Sequence, residues 1–350
     1  MQKKKKDIRG LSLEELTELI ITYKEKAFRA KQIYEWLWKK DIYNFDEMTN
    51  ISEKLREQLK KDFQILPLQI IEQQTSKDKT IKILFHTSDG FPLEGVLIPS
   101  INRVTACISS QTGCSLGCVF CATSRLVKLR NLSAAEIIDQ IVFLNNLAEE
   151  KYAQKLTNIV MMGMGEPFLN YDEVSKAMHI LTSPKIRGWA PSRITISTAG
   201  IVEGIARFAE DHPTMNLAIS LHTANEEKRT EIMPVNKKHN LQRLHRSLEH
   251  YHKITSNRIT IEYLMLTGFN DSIEDAEELA SFCKAFPVKI NIIKYNNIED
   301  GRFGKTDEIK LQAFAERLEK RKNMIVNIRR SRGSDIAAAC GQLANKKNDL

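Results

Sequence analysis

The chain has 350 residues, of which 42% are hydrophobic and 27% are charged, and it carries a formal net charge of +8. This length suits one large domain with a smaller one, and the composition is ordinary for a globular protein. No apolar run approaches the roughly 20 residues of a membrane-spanning helix, and no apolar segment follows the basic N-terminus as in a secretory signal. Six cysteines are too few for a disulfide scaffold, so we expect a cytoplasmic protein with reduced thiols.

The N-terminal part has helical patterns. In LSLEELTELIITY (residues 11–23), apolar residues recur at helical spacing after a capping box formed by Ser12 and Glu15. The segments FRAKQIYEWLWKK and SEKLREQLKKDF predict two further helices. TIKILFHTSDGFPLEGVLIPS then predicts two strands joined by a Ser-Asp-Gly turn. We therefore predict a small helical module with a hairpin over residues 1–95.

Short β-rich segments alternate with helical ones from about residue 104. The strand segments are VTACIS, TNIVMMG, RITIST, NLAISLH, RITIEYLML and KINIIKY. Six such units predict an α/β fold with a parallel sheet and right-handed crossovers. The pattern allows an open doubly wound sheet or a partial barrel. In both cases function is expected at the C-terminal ends of the strands.

Three cysteines follow the first strand of this series. GCSLGCVFCAT (residues 113–123) holds Cys114, Cys118 and Cys121 at the spacing C-x3-C-x2-C. Three thiolates are one ligand short of a tetrahedral zinc site or a four-cysteine iron–sulfur cluster. The pattern favours a metal centre with one position open to a substrate, and a zinc site or a chance cluster of cysteines is the alternative.

This motif resembles that of the radical S-adenosylmethionine (SAM) enzymes. The resemblance implies that the three cysteines bind a [4Fe–4S] cluster, and that the amino and carboxylate groups of SAM chelate its open iron. It also implies a partial (β/α)6 barrel similar to a TIM barrel. Basic residues and the helical module would then lie beside this core, which we predict to span residues 96–330, with a catalytic tail over residues 331–350.

Later strand ends carry residues that the resemblance assigns to SAM. MMGMGEP (residues 161–167) is similar to the family's GGEP-type motif, which contacts the methionine amino group, and AISLHT is placed to contact the nucleoside. Taken singly, a tight turn or a structural histidine would explain such motifs. The cofactor residues implied are Gly165, Glu166, Ser197, Ser220, Leu221, His222 and Asn296.

The C-terminal segment RGSDIAAACGQLA narrows the resemblance. Together with CISSQTGCSLGC, MGMGEP and the N-terminal FRAKQIYEWLW, it closely resembles RNA adenine-C2 methyltransferases of the RlmN type, over nearly the whole chain. The segments SRGSDI and KYNN depart slightly from the family pattern. C2 of adenine is electron-poor and not a nucleophile, so it cannot take a methyl group from SAM by direct displacement. Two cysteines outside the loop, Cys107 and Cys340, supply another route.

The family's mechanism implies roles for three residues. Cys340 takes a methyl group from one SAM, and a 5′-deoxyadenosyl radical from a second SAM abstracts hydrogen from that methyl group. The resulting carbon radical adds to C2, and Glu94 is the matching base that removes the C2 proton. Cys107 then attacks the Cys340 sulfur and forms a transient disulfide, which releases the methylated base. Cys283, in a helical apolar pattern, is expected in the core.

The resemblance implies 23S ribosomal RNA and transfer RNA as partners, an electron donor such as flavodoxin, no membrane, and a monomer. Residues 302–332 contain ten Lys and Arg against four Asp and Glu, which suits RNA phosphates, although a solvated charged surface would also explain them. Three other functions stay open. They are the related C8-methyltransferase, a non-catalytic RNA-binding protein with structural zinc, and a radical enzyme acting on a protein or small molecule.

Overall fold

The computed structural model describes residues 5–126, 130–298 and 301–344, so parts of the predicted N-terminal module and tail (residues 1–4 and 345–350) lie outside it. In the described residues the α-helices are α1 (Leu13–Thr22), α2 (Phe28–Lys39), α3 (Glu53–Asp62), α4 (Ala134–Tyr152), α5 (Tyr171–Thr182), α6 (Val202–Asp211), α7 (Glu226–Ile232), α8 (Leu241–Thr255), α9 (Ile273–Phe282) and α10 (Glu308–Glu319). The strands are β1 (Lys6–Asp7), β2 (Phe63–Gln64), β3 (Gln69–Thr75), β4 (Ile81–His86), β5 (Pro92–Ser100), β6 (Arg103–Cys107), β7 (Asn158–Met161), β8 (Ile194–Thr198), β9 (Asn216–Ser220), β10 (Ile259–Met265), β11 (Val288–Lys294) and β12 (Met324–Arg329).

One ten-stranded sheet organises the chain. Its order is β12-β11-β10-β9-β8-β7-β6-β5-β4-β3. Strands β6 to β12 are parallel, whereas β3, β4 and β5 are antiparallel and extend the sheet beyond β6. Helices α4 to α10 supply the crossovers that parallel strands require. Residues of β5 and β12 line the same cavity, so the sheet curves around it as a partial barrel.

The predicted fold class is confirmed, and the main sheet contains two strands that were not predicted. β12 gives a seventh parallel strand, and β3 forms the opposite edge of the described sheet. Both were missed because their segments are polar or charged: β3 reads QIIEQQT, and β12 is flanked by RKN and RSR. A strand at a sheet edge buries little of its surface, so it shows no strong apolar alternation.

The predicted helices and hairpin of the N-terminal part are present. The Ser12 hydroxyl accepts from the Glu15 N–H at 3.1 Å, and the Glu15 carboxylate accepts from the Ser12 N–H at 2.7 Å. The hairpin strands β4 and β5 are part of the main sheet, and β5 crosses residue 95. The ranges 1–95, 96–330 and 331–350 stay a prediction. No helix in the described part of the chain is long and apolar enough to cross a membrane.

A buried ion pair joins the N-terminal segment to the α/β core. The Arg9 guanidinium lies 2.7 Å from the Asp139 carboxylate of α4, and both side chains are 2% exposed. The same carboxylate accepts from the Leu68 N–H at 3.2 Å, and Arg9 also pairs with Asp7 at 3.0 Å. Removing one partner of a buried pair leaves an uncompensated charge, so this contact holds the two parts together.

We predict that Arg9→Ala lowers the free energy of unfolding by about 3–5 kcal/mol, because Asp139 loses its buried cation. The exposed pair of Lys151 and Glu150 gives the matched control, and Lys151→Ala should change stability by less than about 0.5 kcal/mol. Urea unfolding measures both. Equal stability of the two variants would contradict this role for Arg9.

Candidate active site

A cavity of about 1480 Å³, including its solvent-open mouth, lies at the C-terminal ends of the parallel strands. It is the place where a strand-end site is expected in such a fold. Eleven of the thirteen residues predicted for the site line it. They are Cys107, Cys114, Cys118, Cys121, Gly165, Glu166, Ser197, Ser220, His222, Asn296 and Cys340.

Hydrogen bonds fix the C-terminal half of the three-cysteine loop. The Val119 N–H donates to the carbonyl of Ile232 at 3.1 Å, and the Ser124 hydroxyl donates to the carbonyls of Cys118 and Cys121, both at 2.8 Å. Burial raises the pKa of Cys114 to about 12 and raises that of Cys118 as well, and the neighbouring thiols add to the shift for Cys118. A metal that binds these sulfurs as thiolates must therefore displace their protons.

A buried cation beside the loop fits an anionic group there. Arg229 of α7 is fully buried and donates to the carbonyls of Ala199 and Leu221, at 2.7 and 3.2 Å, and to the Asn236 amide oxygen at 2.7 Å. In the described part of the chain its guanidinium has no carboxylate within ion-pair distance. Burial lowers the pKa of Arg229 to about 10, and the nearby Cys118 sulfur and Glu226 carboxylate act in the opposite direction. A cluster bound by thiolates would supply the missing negative charge.

The segment after β7 places a carboxylate on the cavity wall. Glu166 accepts from the N–H groups of Ala199, at 2.7 Å, and Phe168, at 3.1 Å. Gly165 has a φ of +96°, and a Cβ there would lie 2.5 Å from Gln111, so only glycine fits. Burial raises the pKa of Glu166 to about 7, against the opposing effect of the two donors. This carboxylate is placed to bind a cationic amino group.

His222 is a neutral hydrogen-bonding group. Its Nδ1 accepts from the Leu264 N–H at 3.0 Å, so the proton of the neutral ring is on Nε2. Burial lowers the pKa of His222 to about 3, and the nearby Arg229 guanidinium lowers it further. The ring packs edge-on against Phe120 of the cysteine loop, with centroids 4.7 Å apart. His222 can therefore donate to a ligand, but it does not exchange protons near neutral pH.

The C-terminal tail is bound to the cysteine loop. The Gly341 carbonyl accepts from the Ala122 N–H, and the Leu343 carbonyl accepts from the Thr123 hydroxyl, both at 2.7 Å. Further back, the Asp335 carboxylate accepts from the Ser76 hydroxyl at 2.6 Å and from the Lys77 N–H at 3.1 Å. These contacts place Cys340 between two attachment points, on the wall of the cavity.

Cys340 and Cys107 share the cavity. Cys340 is exposed and lines the cavity, and desolvation by the surrounding residues raises the pKa of its thiol. Burial raises the pKa of Cys107 to about 12, and the nearby Cys340 thiol contributes to that shift. Arg329, at the end of β12, acts in the opposite direction on both thiols. The two cysteines, 233 positions apart in sequence, thus lie near one cation.

Two predicted residues are not on the cavity wall. Glu94, on β5, is 1% exposed; its carboxylate lies 3.2 Å from the Lys82 amino group and accepts from the Ala344 N–H at 2.9 Å. The Leu221 side chain is fully buried in the core. A role for Leu221 is therefore confined to its backbone, and Glu94 is covered by the docked tail. The remaining cysteine, Cys283, is fully buried, in agreement with the expected core position.

A polar row across β10, β11 and β12, of which Glu262 and Arg329 line the cavity, was not predicted from the sequence. The Glu262 carboxylate of β10 accepts from the Asn291 amide at 2.8 Å and lies 3.4 Å from the Arg329 guanidinium. Glu262 and Asn291 are register partners on adjacent strands, and Asn327 of β12 is next to Asn291. The one available signal was the lone carboxylate within the apolar run RITIEYLML. Arg229 gave no such signal, because α7 has a charged sequence typical of a solvated helix.

These features define a radical SAM enzyme, and comparisons with known proteins agree. The model described as "Radical SAM superfamily" matches residues 108–283, and that described as "Ribosomal RNA large subunit methyltransferase N-terminal domain" matches residues 6–65. Enzymes of this superfamily use a [4Fe–4S] cluster and SAM, and this chain therefore does so.

Relatives of similar length identify the family. A "Probable dual-specificity RNA methyltransferase RlmN" of Cytophaga hutchinsonii is 50% identical over 98% of this chain and 94% of its own length; one of Geobacillus thermodenitrificans is 41% identical over 97% and 93%. The crystal structure of a radical SAM methyltransferase from Sphaerobacter thermophilus superposes with a TM-score of 0.90, at 36% identity, covering 97% of this chain and all of that one. The chain belongs to the RlmN family of radical SAM methyltransferases.

We predict that Cys118→Ala removes the bound iron, because two thiolates cannot hold the cluster. Cys283→Ala is the matched control, since it deletes a thiol that is fully buried away from the cavity, and it should retain the iron. Iron and sulfide analysis of both proteins, purified without oxygen, measures the difference. Retention of iron by Cys118→Ala, or of zinc alone by the wild type, would contradict the cluster assignment.

Proposed function

We propose that this enzyme methylates C2 of adenosine in RNA, both in the peptidyl transferase region of 23S ribosomal RNA and at the transfer RNA adenosine 3′ of the anticodon. The observation that carries the proposal is the convergence of Cys107 and Cys340 on the cavity that also holds the three-cysteine loop. Relatives named dual-specificity RNA methyltransferases support RNA as the substrate.

The site residues divide between the cofactors and the substrate. Cys114, Cys118 and Cys121 would hold the [4Fe–4S] cluster, and Arg229 would balance its charge. Glu166 would bind the amino group of SAM, and Gly165, Ser197, Ser220, His222 and Asn296 would contact the rest of the molecule, with Leu221 through its backbone. The cluster and SAM supply a methyl group and one-electron radical chemistry. We propose a flavodoxin-like donor of the electron.

Cys340 would be the methyl carrier. Its thiol faces the cavity and must lose its proton to accept a methyl group, which the nearby Arg329 cation favours and burial opposes. The methylated sulfur would then lie in the same cavity as the target base, which makes the transfer intramolecular. Cys107, at the end of β6, would attack the Cys340 sulfur in the adduct as a thiolate. The disulfide would form as the bond between that sulfur and the methylene carbon breaks, and the carbon would keep the electron pair and take up a proton to become the methyl group.

Glu94 would take the C2 proton. Its carboxylate is held by Lys82, a buried cation, and is closed off by the Ala344 N–H of the docked tail. The Glu94 carboxylate therefore becomes accessible to the RNA only when residues beyond Cys340 leave this position. Formation of a covalent adduct on Cys340 would move these residues. Access to the Glu94 carboxylate would therefore be coupled to adduct formation. We propose that the enzyme acts as a cytoplasmic monomer.

The experiment that tests the proposed function is product analysis. We predict that the enzyme, supplied with SAM and a one-electron reductant, forms 2-methyladenosine in unmodified 23S ribosomal RNA and in transfer RNA. Nucleoside mass spectrometry with 2- and 8-methyladenosine standards measures this, and Cys340→Ser, which keeps size and polarity, should abolish the product. Formation of 8-methyladenosine alone would overturn the C2 assignment, and full activity of Cys340→Ser would overturn the carrier role.

A further inference from the structure

A second cavity, of about 1130 Å³, adjoins the active site where β11 and β12 end. It is lined by Lys294, Tyr295, Asn296, Lys305, Glu308, Ile328, Arg329, Arg330, Ser331 and Ser334. Among these residues only Asn296 is proposed to contact SAM, and no cysteine of the predicted cluster site is present, so the proposed cofactors leave most of this cavity without a ligand.

The walls of the second cavity are cationic. Four of its residues are Lys or Arg, and the one carboxylate, Glu308, is paired with Lys294. Arg329 pairs with Glu262 at the floor of the first cavity. Among the residues that the structure describes, Lys305 and Arg330 form no ion pair, and both are exposed. The cavity thus presents uncompensated positive charge to solvent, which favours an anionic ligand.

Two buried donors among the lining residues also lack partners. Tyr295 is 1% exposed and Asn296 is 6% exposed, and both line the cavity. Within the described residues, the Tyr295 hydroxyl and the Asn296 amide nitrogen have no hydrogen-bond partner. A buried polar group without a partner costs free energy, so an acceptor supplied by a ligand would stabilise this arrangement.

The two cavities have a common wall, formed by Asn296, Arg329, Arg330 and Ser331. A ligand can therefore extend from one cavity into the other. An enzyme that acts on a base edge must take the nucleotide out of its stack, and the phosphates on either side of that nucleotide then follow it towards the protein. Lys, Arg and hydroxyl donors are the groups that contact such phosphates.

We propose that the second cavity is a phosphate subsite, which binds a backbone phosphodiester next to the target adenosine while the base enters the first cavity. This inference rests on the proposed function, because it assumes an RNA substrate. It assigns Lys305 and Arg330 to the phosphate, with Ser331 and Ser334 as neutral donors beside it. The subsite fixes the position of the nucleotide without reading its sequence.

The test is a double-mutant cycle between the protein and the RNA. The probe is a transfer RNA anticodon stem-loop with the adenosine 3′ of the anticodon, in which one phosphate adjoining that adenosine is replaced by an uncharged methylphosphonate. The protein variant is Lys305→Gln, which removes one charge from a residue that lines only the second cavity. Lys289→Gln is the control, at the exposed opposite end of β11.

We expect the effects of the phosphate change and of Lys305→Gln on RNA binding to be coupled. Neutralising the phosphate should weaken wild-type binding roughly three- to tenfold, and Lys305→Gln should weaken binding of the unmodified stem-loop by a similar factor. The two changes together should weaken binding little more than either change alone. The slope of log K against log salt should fall by about 0.7–1 for Lys305→Gln, and should not change for Lys289→Gln. Inorganic phosphate at millimolar concentration should compete with the stem-loop for wild-type protein.

Additive effects at both neighbouring phosphates, or equal losses for Lys305→Gln and Lys289→Gln, would overturn the subsite and indicate unspecific electrostatic attraction. Methylation of the unmodified stem-loop by the wild type reports on the proposed function separately. If the stem-loop is methylated and no coupling is found, only the subsite fails. If coupling is found without methylation, the proposed reaction on this RNA fails and the phosphate site stands.

Discussion

The attachment of the C-terminal tail to the cysteine loop is the contact on which the site depends. Two hydrogen bonds from the loop, Ala122 N–H to the Gly341 carbonyl and Thr123 hydroxyl to the Leu343 carbonyl, hold the tail beside the residues that would bind the cluster. Together with the Asp335 contacts and the Ala344 contact to Glu94, they fix Cys340 relative to Cys107 and Glu94. Because Gly341 has a φ of +82° and its Cβ would lie 3.1 Å from the Phe120 carbonyl, the close approach requires glycine at this position.

Buried and half-buried cations lie close to the cysteines of the site. Arg229 lies beside Cys118, and Arg329 lies near Cys107 and Cys340, so each group of sulfurs has a buried or half-buried cation close to it. Burying a cation costs free energy, and the negative charge of bound thiolates offsets that cost. Cluster binding should therefore stabilise the fold as well as supply the chemistry. Likewise, the charge of the buried Lys82 is balanced by Glu94.

Much of this organisation could be predicted from the sequence, and particular residues show where prediction stopped. The C-x3-C-x2-C spacing is a local pattern, so it identified the cysteine loop, whereas Glu166 and His222 were assigned to SAM through the resemblance of the strand-end motifs to those of the family. Cys340 and Cys107 were found through the family resemblance, because no spacing relates residues that meet only in the fold. Arg229 and Lys82 resemble solvated charges in the sequence, and only tertiary packing buries them. Edge strands β3 and β12 were missed because weak burial leaves no periodic signal.

The most direct test of the proposed covalent mechanism is to block the release of the intermediate and to determine whether it accumulates. In Cys107→Ala, the proposed route can add the Cys340 methylene group to the RNA base but cannot break the bond, so a protein–RNA adduct should accumulate. Denaturing electrophoresis with labelled RNA, followed by peptide mass spectrometry, measures it. We expect an adduct at Cys340 in Cys107→Ala and none in the double variant Cys107→Ala, Cys340→Ala. Normal release of methylated RNA by Cys107→Ala, or an adduct at another residue, would contradict it.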